Sequence, residues 1–424
     1  MTSPISKDLA AHIVRRMGET GQPPERGALH VNVATDRLLG IWNEEYVRKI
    51  REDGRLSTFK FIEAGFGGGK THFLYCMREL AWREGFWTSF VVLSPEECPF
   101  DKTLLVYRAI VRNVEYPPDS EYEESARGLD VALTRLIETR KEEVGAAAVR
   151  SWIDDELGRA PVESLTLRRA VQLYARATLD RDYDACDMLA HFLRGEELTS
   201  VEMTKLQLRE VIDEKSAFRC LRSLTQIFRA LGLPGFALFF DEADRNLALS
   251  ARRRRAIGDG LRQMMDLCNG SKLPATFIVY AIPPQFRETV VNEYPALAQR
   301  MNGGDGGPES SPLAPMIDLE RLNTKPRSLM LDIGMRLTEI CGIADGRSLN
   351  MEIQRTNMDR LALEFDRRSL ETGSRRLFVK AAVAHLFKQL RNGESRLTDA
   401  EVQRLVGSAR ADATGGLRGE TDAF

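Results

Sequence analysis

The run Ala64-Gly65-Phe66-Gly67-Gly68-Gly69-Lys70-Thr71 sets glycines, a cation and a hydroxyl in an order that suits a chain of phosphates. Such an anion needs a concave row of backbone N–H groups, and glycine permits both the dihedrals and the close approach. Lys70 brings mobile positive charge to β/γ oxygens. Thr71, at the start of the next helix, can place its hydroxyl on Mg²⁺ where the helix dipole also favours anions. In the strict G-x-x-x-x-G-K-[ST] pattern the first glycine falls where Ala64 stands; Gly65, Gly67, Gly68 and Gly69 keep the chemistry. A dinucleotide fingerprint fits less well, because it has no use for Lys70-Thr71 and no acidic residue closes the following strand.

The second constellation is Leu238-Phe239-Phe240-Asp241-Glu242. An apolar run ending in Asp-Glu puts Asp241 at the carboxyl end of a buried strand, placed to hold the water shell of Mg²⁺. Glu242 is then placed to orient the water that attacks a γ-phosphate. Phosphoryl transfer asks for positioning and charge stabilisation more than covalent chemistry, so Lys70, Thr71, Asp241 and Glu242 supply much of an ATPase site. Arg252, Arg253, Arg254 and Arg255 form a third feature, readable as contacts to a polyanion such as DNA, to a partner, or as a solvated helix face.

The elements that must position these residues follow from periodicity. A strand over 59–64 enters the glycine run, a helix over 71–81 leaves it, and a strand over 87–93 follows, which is a βαβ unit. Strands over 236–241, 275–280 and 315–319 and a helix over 251–268 extend the sheet, and the unbroken apolar character of 236–240 predicts a strand covered on both faces. Leu9, Ile13, Val14 and Met17 make a helical stripe near the start, and another helix is expected over 36–50. From 101 to 231 the pattern is nearly all helical, longer than a single crossover needs, so 120–210 reads as a helical insertion. Helices dominate again to about 390, before a Gly-, Ala- and Asp-rich tail too short for a winged helix.

Composition narrows the class. The 424 residues are 43% hydrophobic and 29% charged, and Lys+Arg 60 against Asp+Glu 62 leaves a net charge of −2, which excludes a basic coat but not a local basic patch. The cysteines are isolated, with no C-x-x-C pair, and the histidines are scattered, which argues against a zinc site and for a reducing compartment. His72 and Cys76 are expected to pack rather than react. The absence of a secretory signal and of any long apolar run predicts a cytoplasmic protein with no membrane span.

Phe59 to Phe73, Ile212 to Asp244 and the lead-in Pro23-Pro24-Glu25-Arg26-Gly27 resemble the ATP-binding proteins of bacterial BREX phage-defence systems, notably a short form that accompanies a helicase-like protein. The resemblance spans most of 10–390 and is weakest in the helical insertion. It implies an α/β P-loop NTPase of AAA+ type, similar to origin-recognition and signal-transducing (STAND-like) ATPases. Its three-layer core would carry a parallel sheet over 1–320, with N-terminal helices and the insertion, followed by a helical lid over 321–390 and an extension over 391–424. It further implies ATP and Mg²⁺ as ligands, an arginine finger at Arg300 (Arg287 is the spare), and a lid arginine at Arg375 or Arg376 that reaches the nucleotide. The strand over 275–280 would be the sensor strand, yet it ends on Tyr280-Ala281-Ile282 with no Asn or Thr, and Thr276 lies too early. A finger implies a homo-oligomer. The expected function is ATP hydrolysis that assembles or remodels an anti-phage complex with a helicase-like partner and DNA. A helicase loader and a nucleotide-gated scaffold are the alternatives.

Overall fold

The computed structural model describes residues 4–120, 126–242, 249–292, 294–301, 311–322, 325–367 and 373–419, with side chains to residue 411. At its centre is a six-stranded sheet of order β3-β2-β4-β5-β1-β6, where β1 is Ser57–Glu63, β2 Trp87–Val92, β3 Val114–Glu115, β4 Phe236–Asp241, β5 Thr276–Ile282 and β6 Met316–Asp318. All pairings are parallel except β2 with β3. Parallel strands buried on both faces read as continuous apolar runs, and β4 and β5 are buried at every position. Alternate residues feed different cores. Phe236, Leu238, Phe240, Ile278 and Tyr280 face helices that include Thr103–Arg112, Ala217–Ala230 and Ala251–Asn269. Ala237, Phe239, Phe277 and Val279 face Asp36–Trp42 and Lys70–Arg83.

The helices expected as an insertion are present, among them Leu129–Val144, Leu165–Asp180 and Tyr183–Leu193. They share one continuous core with the sheet: Leu133, Ile137, Val171 and Leu193 join the cluster that holds Phe236 and Phe240. The two-residue β3 was not expected in a stretch read as helical; so short a strand leaves no periodicity to detect. The helix expected over 36–50 runs from Asp36 to Glu52 with a π segment at Asn43–Arg48.

A separate hydrophobic core joins Lys7–Thr20 to Pro326–Asp345, Met351–Asp366, Ser374–Asn392 and Asp399–Gly419. Leu9, Ile13, Val14 and Met17, the stripe predicted from spacing, are all buried in it, each stabilising the fold by about 1.5–3 kcal/mol relative to exposure. The N-terminal helix therefore packs with the C-terminal helices rather than on the sheet. Past 391, Asp399–Gly419 is a helix with Val402, Val406 and Ala409 in the same core.

Candidate functional site

Residues 64–71 leave β1 and enter the helix Lys70–Arg83. The loop backbone reaches the left-handed region at Gly67 (φ 73°) and Gly69 (φ 97°), which glycine adopts freely. Gly68 serves a different need, since a Cβ there would lie 2.6 Å from the Cβ of Ala64. That contact explains how alanine can stand where the strict pattern has glycine. Lys70 Nζ donates to the carbonyls of Ala64 (2.8 Å) and Gly65 (3.0 Å) at the root of the loop.

The sheet order brings the second motif alongside, because β4 lies one strand from β1 across β5. Thr71 Oγ1 donates to Asp241 Oδ2 at 2.5 Å across a sequence separation of 170 residues. Asp241 is buried. Glu242 holds φ 59°, an unusual value for a non-glycine residue, and its N–H donates to its neighbour's Asp241 Oδ1 at 2.9 Å. Backbone strain of this kind costs about 1–3 kcal/mol and concentrates at functional sites.

These groups line a cavity of about 300 Å³. Its polar lining comprises Gly67 to Thr71, Asp241, Glu242, Glu320, Arg375 and Arg376. Apolar lining comes from residues that include Met17, Val31, Val33, Leu329, Ile333 and Val379, contributed by the N-terminal segment and the C-terminal helices. Apolar walls with a few convergent polar and charged groups are the usual lining of a small-molecule site. The lead-in motif contributes to the lining. Pro23 lines the cavity, Arg26 Nη2 lies 3.4 Å from Glu115 Oε2, and Arg78, on the helix that follows the loop, donates to the Glu25 carbonyl at 2.6 Å.

Arg375 and Arg376, at the start of the helix Ser374–Asn392, separate clearly. Arg375 Nη1 donates to the Gly68 carbonyl at 3.0 Å, and burial pulls its pKa down while the Glu320 carboxylate opposes the shift. Arg376 lies 4.7 Å over the ring of Phe66, an aromatic side chain 57% exposed within the loop. Phe66 and Glu320 were not singled out from sequence. An exposed aromatic inside a glycine run was the available signal for the first; a glutamate after a short strand has none.

Other predicted residues lie elsewhere. Arg300 is held by Asp266 (Nε to Oδ1, 2.8 Å) and the Ala296 carbonyl, and Arg287 Nε sits 3.7 Å from Glu63 Oε2; neither lines this cavity. Arg253 forks onto Asp101 at 2.8 and 2.9 Å and Arg254 donates to the Leu249 carbonyl, while Arg252 and Arg255 are exposed. Thr276 donates to the Pro274 carbonyl at the far end of β5. His72 lines the cavity, and burial holds its pKa down at about 4, so it stays neutral at pH 7. All six cysteines are free thiols.

Thr71 and Asp241 offer a hydroxyl and a carboxylate, the hard oxygen donors that Mg²⁺ takes in small number beside water and phosphate. Among the described residues no group of three or more His, Cys, Asp or Glu side chains gathers as an all-protein metal cage. No helix of the described residues is long and apolar enough to cross a membrane. A family model described as BREX system ATP-binding protein BrxC/D matches residues 5–404. None of the curated proteins matches the chain.

Proposed function

The chain belongs to the family of BREX system ATP-binding proteins, and from that premise we propose that it is a Mg²⁺-dependent ATPase of AAA+-like, three-layer build whose turnover assembles or remodels a defence complex. The observation that carries this reading is the 2.5 Å bond from Thr71 to Asp241, which joins the glycine loop to the acidic strand end at one cavity. In this role Gly65, Gly67, Gly68 and Gly69 shape the amide cradle and Lys70 exchanges its loop carbonyls for β/γ oxygens. Thr71 and Asp241 hold Mg²⁺, which neutralises phosphate charge and orients the triphosphate. Glu242 orients the attacking water. Arg375 reaches the phosphates from the lid, and Arg300 of a neighbouring copy completes the charge shell in a homo-oligomer. A helicase-like partner and DNA, with Arg252 and Arg255 as its contacts, are the proposed recipients of the work.

A second reading draws support from the lid, whose Arg375 and Arg376 both touch the loop. Here nucleotide occupancy alone gates a scaffold. Turnover on purified full-length chain of known oligomeric state, with and without DNA, separates the two. Lys70→Ala should abolish tight binding of a fluorescent ATP analogue, and near-wild-type affinity would remove Lys70 from the site. Glu242→Gln should cut turnover by roughly 10² or more. If defence activity persists in that variant, the scaffold reading stands; if it is lost together with turnover, hydrolysis does the work.

A further inference from the structure

Immediately after β6, the turn Leu319–Arg321 carries Glu320 to the mouth of the glycine loop. Its Oε1 accepts the Gly65 N–H at 2.8 Å, and a Cβ added at Gly68 would meet the same oxygen at 3.2 Å. The turn is fixed in place: Asp318 Oδ1 accepts the Glu320 N–H at 2.9 Å, and β6 is paired in parallel register with β1, Glu63 opposite Asp318. The carboxylate also lines the cavity and attracts the guanidinium of Arg375. Gly65 marks a particular end of the loop. Lys70 Nζ lies 3.0 Å from the Gly65 carbonyl, and this lysine serves β/γ oxygens. A negative charge anchored on Gly65 therefore stands beside the place of the terminal phosphate.

Resting on the nucleotide-binding reading above, we propose that Glu320 is a specificity-determining residue that sets the balance between tri- and diphosphate nucleotides. Its charge repels a γ-phosphate and leaves a diphosphate nearly untouched. Its hydrogen bond, in contrast, holds the loop for either ligand, and its pull on Arg375 ties this discrimination to the lid.

The two contributions come apart by substitution. Glu320→Gln keeps an acceptor for the Gly65 N–H and removes the charge, whereas Glu320→Ala removes both. Titration of the full-length chain with fluorescent ATP and ADP analogues, in Mg²⁺, gives the ratio of dissociation constants. Glu320→Gln should tighten ATP relative to ADP by roughly tenfold, the order expected for one like-charge pair a few ångströms apart. Raising the salt concentration should shrink that gain. Glu320→Ala should weaken ADP, which a charge effect alone does not do. A ratio within twofold of wild type in Glu320→Gln, or equal changes for both nucleotides, overturns the proposal. If the wild-type chain binds neither nucleotide, the underlying reading fails instead, so the two failures are distinguishable.

Discussion

At the scale of residues, two of the cations around the loop bond to its own carbonyls. Lys70 holds Ala64 and Gly65, and Arg375 holds Gly68. A phosphate can therefore replace existing acceptors, and the net gain is the difference between charge-assisted and neutral hydrogen bonds. Arg375 is buried against the loop backbone while Arg376 spends its guanidinium on the Phe66 ring. Arg375→Ala should accordingly weaken ATP by roughly tenfold or more, as loss of a hydrogen bond to a charged group does. Arg376→Ala should change affinity by no more than about threefold, the value of an exposed cation–π contact. Parallel titrations of the two variants check this, and equal losses would contradict the division. Lys70, Thr71 and Asp241 were legible because each motif announces itself by residue type within a few positions. Glu320 was not, since its meaning comes from β6 pairing with β1, a long-range pairing with no local trace.

Among the elements, the N-terminal helix shows how far a pattern reaches. The spacing of Leu9, Ile13, Val14 and Met17 declares a buried face but cannot name what covers it; in space it is the C-terminal helices, and Met17 reaches the cavity. The strand–loop–helix unit was readable for the opposite reason, because its partners are neighbours in sequence. The helix ends at Gly21, whose φ of 66° and N–H to the Met17 carbonyl form a left-handed cap. A Cβ at Gly21 would lie 2.5 Å from the Arg376 carbonyl, a backbone atom that cannot rotate away. The end of this helix is thus seated directly on the first turn of the helix Ser374–Asn392. Gly21→Ala should cost about 2 kcal/mol or more, combining the left-handed penalty with the clash, and should also weaken ATP binding. Gly346→Ala isolates the first contribution: its φ is 78°, and the nearest atom to an added Cβ is Lys7 Nζ at 3.7 Å. Thermal melts should show both variants destabilised, with nucleotide affinity reduced only in Gly21→Ala.

Over the whole molecule, two histidines, the buried His385 and the half-buried His72, sit in different elements and respond to acid in the same sense. His385 lies in the C-terminal helical core with Nε2 3.2 Å from Gln354 Oε1, and His72 lies in the helix after the glycine loop. Burial, the leading cause in both, depresses each pKa from 6.5 to about 4. Between those values the unfolded chain binds a proton at each site and the folded chain does not. Stability is therefore fully present above pH 6.5 and declines as pH falls towards 4, at roughly 1.4 kcal/mol per pH unit for each histidine once the unfolded form is protonated. Urea unfolding at pH 7, 6 and 5 should show this slope, and His385→Gln should reduce it by about one proton whatever it does to stability at pH 7. An unchanged slope in that variant would mean that His385 takes up its proton over the same pH range in the folded and the unfolded chain. Because His72 lines the cavity beside Lys70 and Thr71, the same acid range should weaken the fold of the candidate site, and His72→Asn should remove the second proton while leaving that of His385.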